Sequence, residues 1–261
     1  MNRHERLNAI LDLLAREGKL DVDEVAEHFD ASAATVRRDL DHLAEQQLLT
    51  RTHGGAVANA TAYDLPLRYK TARRAQEKQR IGAAAAALVP IGAVVGLNGG
   101  TTTTEVARAL ATRADLHAQG GEGKITLVTN ALNIASELTV RRHVKIVVTG
   151  GVARQQSYEL IGPLAQGILG QVALDIAVIG VDAVNVDLGA CAHHEGEATI
   201  NQLMASRAQQ VVVVADSSKL DGRAFARICP IAEVDVLITD TGASGESVKR
   251  FEAAGVRVVQ A

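Results

Sequence analysis

Between residues 93 and 239 six short apolar runs recur: AVVGL, ITLVT, VKIVVT, IAVIG, VVVVA and VLIT. Each is rich in β-branched residues and too short for an ordinary helix, the form taken by strands buried on both faces of a parallel sheet. Helical periodicity near residues 102–111, 131–139, 160–170, 195–208 and 244–254 separates most of them. That rhythm predicts a layered α/β domain with a mostly parallel sheet, whose ligand site lies beyond the carboxyl ends of the strands.

At 261 residues the chain is longer than one ordinary domain, and a second, smaller domain is expected. With only 2% aromatic residues, the core must be built from Ala, Val, Leu and Ile. No apolar run reaches the roughly 18 residues of a membrane span, and the start, MNRHERLN, has no apolar signal region. The two cysteines, Cys191 and Cys229, are far apart in sequence and not in a metal-type pairing. The expectation is a cytoplasmic protein with no disulfide framework and no membrane partner.

The first sixty residues follow a different pattern. Leu7, Ile10, Leu11 and Leu14 recur at helical spacing up to Gly18. A second short helix, capped by Asp21 or Asp23, turns its Val25, Ala26 and Phe29 inward. After a turn at Asp30-Ala31, Ser32 caps a third helix, ATVRRDLDHLAEQQ, with Val36, Leu40 and Leu43 in one stripe. Ala34, Arg38 and Glu45 fall opposite the stripe, and Thr35 and Arg37 flank it. The exposed first turn thus offers a hydroxyl, two guanidiniums and free backbone N–H groups, the set that reaches phosphates and base edges from a major groove. LLTRTHGGAV adds two short strands around a turn, completing a winged helix-turn-helix.

Charge distribution fits a focused contact rather than a coating. Residues 1–57 carry seven Lys or Arg against eleven Asp or Glu, whereas residues 58–80 carry six against two. The basic stretch YDLPLRYKTARRAQEKQR reads as a linker feeding a helix near Arg74. Its Arg68, Lys70, Arg73 and Arg74 form either a solvated face or a DNA contact.

The segment from Arg3 to Ala56 resembles the DNA-binding segment of the DeoR family of bacterial sugar-metabolism regulators. Ser32, Thr35, Arg37, Arg38, Asp39 and Leu40 match the family's recognition pattern, and Arg51, His53, Gly54 and Gly55 match its wing. The resemblance implies double-stranded operator DNA as a partner. Ser32, Thr35, Arg37 and Arg38 would position the helix and read bases, Arg51 would support the wing, and His53 would be structural or phosphate-facing.

Polar loops follow the strands of the larger domain: Asn98-Gly99-Gly100-Thr101-Thr102-Thr103, Thr129-Asn130, Gly150-Gly151, Asp182, and Asp216-Ser217-Ser218-Lys219. A glycine loop opening a helix exposes backbone amides at the positive end of the helix dipole, and threonine hydroxyls add donors, a combination suited to phosphate. GGTTTT alone is weak evidence, since it matches neither the nucleoside-triphosphate loop nor the dinucleotide turn.

From about residue 77 to 240 the chain resembles the same family's sugar-phosphate-sensing domain, which is similar in fold to ribose-5-phosphate isomerase. Gly100 to Thr103, Thr129-Asn130, Gly150-Gly151, Gly180-Val181-Asp182, Glu197-Ala198, Asp216 to Lys219 and Ile238-Thr239-Asp240 match its pattern. Two positions depart: Asn98 replaces the usual Asp, and Cys191-Ala192 replaces the usual Thr-Thr in the loop before Glu197. Both bear on ligand identity. The resemblance implies an effector phosphate on Gly100 to Thr103, flanked by Asn98, Gly99, Thr129, Asn130 and Gly151. Asp182, Glu197 and Lys219 would meet hydroxyls or charge.

An aldose–ketose isomerase needs a carboxylate base and a nearby cation. Asp182 and Glu197 supply carboxylates, but no lysine occurs from Gly180 to Asn201. Lys219, from another strand end, is placed to pair with phosphate or Asp216. Binding without turnover is therefore expected. An isomerase or transferase with an appended DNA-binding domain is the alternative, and an interaction module with no small ligand is a third reading. CAHHEGE, Cys191 to Glu197, gathers possible metal ligands, but so tight a cluster rarely closes a tetrahedral site, and a polar lid over the sugar site is preferred. The expected organisation is a DNA-binding domain over 1–58, a linker over 59–76 and an effector domain over 77–261. The expected assembly is a homo-oligomer, dimer or tetramer, without cofactor or metal.

Overall fold

The structure, a computed structural model, describes residues 1–46, 48–58, 67, 73–117 and 124–261. The chain divides into two compact units, Met1–Arg73 and Arg74–Ala261. Most of the expected join, with Arg68 and Lys70, lies outside the described residues.

In the first unit, α1 (Arg3–Glu17) starts at a reciprocal cap. The Asn2 side chain accepts from the Glu5 N–H, and the Glu5 carboxylate accepts from the Asn2 N–H. The helix ends at Gly18, whose φ of 72° is the left-handed stop that glycine supplies. Strand β1 (Lys19–Asp21) leads into α2 (Val22–His28), capped by Asp21, and α3 (Ala33–Glu45) follows, capped by Ser32. Strands β2 (Leu49–Thr52) and β3 (Gly55–Ala58) form the wing around His53-Gly54. Leu7, Ile10, Leu14, Val25, Val36, Leu40 and Leu43 build one core beneath them.

Strand β1 pairs with β3, so the wing is a three-stranded sheet rather than the two strands expected. Its three residues, KLD, are too few to show alternation in the sequence. Gly55 is required there: a Cβ would collide with the Leu20 carbonyl of β1.

The second unit is built on a seven-stranded, wholly parallel sheet in the order β15-β14-β12-β9-β4-β5-β6. The strands are β4 (Val94–Leu97), β5 (Ile125–Thr129), β6 (Val144–Val148), β9 (Leu174–Gly180), β12 (Ala208–Val214), β14 (Val236–Thr239) and β15 (Arg257–Gln260). Alternate residues serve two cores. Val178, Val212 and Val214 face one, with α4 (Ala75–Ala87), α5 (Thr101–Thr112) and α7 (Leu132–Leu138). Ala177, Ile179 and Val213 face the other, with α8 (Pro163–Leu169), α9 (Glu195–Ser206) and α10 (Gly245–Ala253). A short α6 (Ala114–His117) follows α5.

Several elements were not expected, β15 among them. Strands β7 (Val152–Ala153) and β8 (Leu160–Ile161) pair as a hairpin. The helix expected from residue 160 begins only at Pro163, where a ring lacking an N–H fits the first turn. A second sheet of β10 (Ala183–Asn185), β11 (Gly189–Ala192) and β13 (Ala226–Cys229) is antiparallel.

The strand order fixes where a ligand can enter. From β4 the chain builds outward through β5 and β6, then returns to place β9 on the other side of β4 and continues through β12, β14 and β15. The reversal falls between β4 and β9, and in parallel sheets of this kind ligands bind beyond the carboxyl ends of the strands at such a point.

Candidate functional site

On α3 the apolar stripe Val36, Leu40 and Leu43 is completely buried, and Ser32, Ala34, Arg37, Arg38 and Glu45 are exposed. The Ser32 hydroxyl accepts from the Thr35 N–H at 3.1 Å and lies 2.9 Å from the Thr35 hydroxyl. Asp39, one residue beyond the arginines, turns inward. Its carboxylate accepts from Arg6 at 2.6 Å and Arg3 at 3.3 Å, fastening α3 to α1. Arg51 is likewise committed, donating to Asp41 at 2.8 Å and to the Gly55 carbonyl across the wing. His53 is exposed at the wing tip.

In the second unit the strand ends meet around the switch point. Asn98, just past β4, is buried, and its side chain spans to β9: Oδ1 accepts from the Gly180 N–H at 2.8 Å and Nδ2 donates to the Gly180 carbonyl at 3.0 Å. Its amide is thus engaged with the fold, and its role is to set the tip rather than to offer a free polar group.

Gly100 starts α5 with a φ of 141° and no side-chain cap. The Thr103 and Thr104 hydroxyls donate back to the Gly100 carbonyl at 3.1 Å and 2.7 Å. Among the described residues no acceptor meets the N–H groups of Thr101, Thr102 and Thr103. A helix start with three open amides is an anion site in waiting.

The tips of β9 and β12 also converge, because Lys219 Nζ lies 3.8 Å from Asp182 Oδ1. Asp182 further accepts from the His193 N–H at 2.9 Å. The sequence pairs Lys219 with phosphate or Asp216, but Asp216 Oδ1 is taken by the Ser218 N–H at 3.1 Å, by the Ser218 hydroxyl and by Arg74 at 3.6 Å. Beneath that loop Asp240 accepts from the Ser217 N–H at 2.6 Å and the Gly242 N–H at 2.8 Å. Burial raises the Asp240 carboxyl, yet the backbone donors of Ser217 and Gly242, with the Ser217 hydroxyl and the Arg74 charge, together hold it below the ordinary range.

The β7–β8 hairpin contributes two residues that the sequence reading misses, Arg154 and Glu159. The Arg154 N–H donates to the Glu159 carbonyl at 2.8 Å, and the Leu160 N–H donates to the Asn130 carbonyl at 2.7 Å, docking the hairpin on the end of β5. Arg154 Nη1 pairs with Glu197 Oε1 at 3.0 Å, with both side chains largely buried. Asn130 Nδ2 donates to Glu159 Oε2 at 2.8 Å, and Asn130 Oδ1 is buried without a partner among the described residues. Thr129 uses its hydroxyl to accept from the Ala131 N–H at 3.1 Å. Gly151, at φ 121°, leaves room for the Ile161 carbonyl, 2.8 Å from where a Cβ would stand. Glu159 is buried beside Glu197 and Asp182, and desolvation followed by the Glu197 charge pushes its carboxyl up to about 8. The signal available for these residues was a pair of charges in GGVARQQSYELIG directly after a strand.

Cys191-Ala192 is not loop, as expected, but the end of the buried strand β11, where Cys191 pairs with Arg227 and Ala192 with Ala226 on β13. Both cysteines are free thiols raised above their ordinary value by burial. His194 caps α9 by accepting from the Gly196 N–H at 3.1 Å. Among the described residues no three His, Cys, Asp or Glu are grouped to hold a metal ion. No helix among them is long and apolar enough to cross a membrane.

The chain is similar to known proteins. A family model for a DeoR-like helix-turn-helix domain matches residues 6–62, and one for the DeoR C terminal sensor domain matches residues 73–241. The HTH-type transcriptional regulator GlpR of Haloferax volcanii is 33% identical over 98% of this chain and 96% of its own. The glycerol-3-phosphate regulon repressor of Escherichia coli K12 is 31% identical over 92% of each. Among solved structures, ribose 5-phosphate isomerase A of Methanocaldococcus jannaschii superimposes on 55% of this chain and 53% of its own at 22% identity, with a TM-score of 0.40. The chain belongs to the DeoR family, as a DeoR-like helix-turn-helix domain followed by a DeoR sensor domain.

Proposed function

We propose that the protein is a DNA-binding transcriptional repressor of a carbohydrate operon, controlled by a phosphorylated sugar. The observation that carries the effector half is the three open amides at the start of α5, set against Lys219, Asp182 and the Arg154–Glu197 pair. On this reading the phosphate rests on Gly99 to Thr103, and the sugar hydroxyls meet Asp182, Glu197 and Lys219. Asn98, Thr129, Asn130 and Gly151 hold the tips in place. The relative named for a glycerol-3-phosphate regulon supports a phosphorylated ligand.

In the reader unit, Arg37 and Arg38 reach base edges or phosphates, and Ser32 and Thr35 contact the DNA backbone at the helix start. Arg51 stiffens the wing, and His53 sits at its contact tip. Two copies of the chain would bind paired half-sites, since one winged module covers little DNA. An effector coupling of about 1 to 3 kcal/mol changes operator affinity several-fold to a hundredfold. The test is an anisotropy titration of the protein on its own promoter fragment against a panel of sugar phosphates. A response to one of them supports the reading, and indifference to all of them defeats it.

One observation favours a second reading, an isomerase. The charges of Glu197 and Asp182 both bear on the buried Glu159 carboxyl, and Lys219 reaches Asp182 from a neighbouring strand end. Turnover of pentose or hexose phosphates, abolished by Glu197→Gln, would establish it. Absence of turnover across the same panel leaves the repressor reading alone.

A further inference from the structure

Glu159 is placed where the charge of a bound anion is felt directly. Its carboxyl lies against the backbone of Gly99, immediately before the start of α5: a Cβ on Gly99 would stand 2.7 Å from Glu159 Oε1. Only a glycine leaves that space. Asn130 holds the other oxygen, Oε2, at 2.8 Å, and the side chain is buried. Three charged groups face it. Glu197 comes from α9, Asp182 from the loop after β9 and Arg154 from the far side of its own hairpin. Arg154 is shared with Glu197, and Asp182 is paired with Lys219.

In this setting the two states of Glu159 differ sharply toward an anion. A neutral carboxylic acid presents an O–H donor, whereas a carboxylate adds a negative charge next to the open amides, in surroundings where water screens little. Resting on the effector pocket argued above, we infer that Glu159 makes effector binding proton-linked: the neutral acid donates to a ligand oxygen, and the carboxylate expels the anion. Binding then draws one proton from solution whenever Glu159 starts out ionised. Burial and the Glu197 charge, then Asp182, raise this carboxyl, outweighing the opposing effects of Asn130 and Arg154, so the ionised form gains ground above pH 8 or so.

The test is calorimetric titration of the full chain with inorganic phosphate at pH 7 and pH 9, for the parent, Glu159→Gln and Glu159→Asp. Gln copies the shape of the neutral acid and cannot ionise, and Asp keeps an ionisable group. Phosphate ionises identically in all three experiments, so ratios of affinity isolate the residue. The affinity of the parent relative to Glu159→Gln is expected to fall about tenfold from pH 7 to pH 9. Proton uptake at pH 9, read from buffers of different ionisation enthalpy, is expected near one for the parent, near zero for Gln and restored toward one for Asp. Identical pH profiles and equal uptake in parent and Gln overturn the proposal while leaving the pocket standing. Phosphate binding by none of the three at either pH overturns the pocket, and the proposal with it.

Discussion

Asn98 and Gly180 exchange two hydrogen bonds, of 2.8 Å and 3.0 Å, across the point where the strand order reverses. A neutral amide satisfies both backbone groups of Gly180 at once, since it donates and accepts, and a carboxylate only accepts. The departure from Asp at this position therefore has a structural meaning: it ties the ends of β4 and β9. Asn98→Ala leaves the half-buried N–H and carbonyl of Gly180 without these partners. The expected loss is about 2 to 3 kcal/mol in urea denaturation, with weaker phosphate binding at temperatures where the variant is folded.

Adjacent residues of α3 carry opposite consequences. Arg38→Ala removes an exposed side chain and should leave thermal stability within about 0.5 kcal/mol of the parent. Operator binding should weaken by about 1 to 3 kcal/mol. Asp39→Asn, one position on, takes the charge out of the link to Arg6 and the more exposed Arg3 and should cost about 1.5 to 3 kcal/mol of folding stability. Melting curves and gel shifts on the two variants separate reading from scaffolding.

The two basic residues of the pocket also divide. Lys219 is one-third exposed and 3.8 Å from Asp182, so Lys219→Ala should change stability by less than about 1 kcal/mol. Its ammonium stays available to a ligand, and phosphate affinity should drop about tenfold or more. Arg154→Ala instead strands the buried Glu197 carboxylate, at a cost of about 3 to 5 kcal/mol. A stable, phosphate-binding Arg154→Ala protein would contradict that division.

Glu159 also leaves a mark on stability without any ligand. Its carboxyl is raised from the ordinary 4.5 to about 8 in the folded chain. Below pH 4.5 both folded and unfolded forms hold the proton, and the stabilising difference is fully present. As pH rises through that window the unfolded chain releases the proton first, so stability falls until the folded carboxyl also ionises. The slope reaches at most about 1.4 kcal/mol per pH unit. Urea melts of Glu159→Gln against the parent between pH 5 and pH 9 should show the variant gaining relative stability as pH rises.

Much of this molecule is legible from its residues because short-range chemistry decides it. The β-branched runs give six of the seven strands of the parallel sheet, and Gly18 and Ser32 mark helix ends where the structure has them, while of the two candidate caps of α2 the structure uses Asp21. What escapes is decided by packing over distance. Strand β1 has three residues, and β7 and β8 two each, below any readable period. Arg154 and Glu159 therefore look like ordinary loop charges until the hairpin folds onto the end of β5. The partner of Lys219 depends on which acid is already occupied, and Arg74 and Ser218 settle that for Asp216. The open amides of Thr101 to Thr103 mark the reverse case, where a local motif of low specificity acquires meaning from its neighbours.

The double core of the parallel sheet has a historical consequence. Val178, Val212 and Val214 answer only to packing, whereas Asp182, Lys219 and Glu159 stand beyond the strands and answer to chemistry. On the proposed reading, descendants of such a chain are free to trade one metabolite for another by altering a few tip residues, and inherit an unaltered frame.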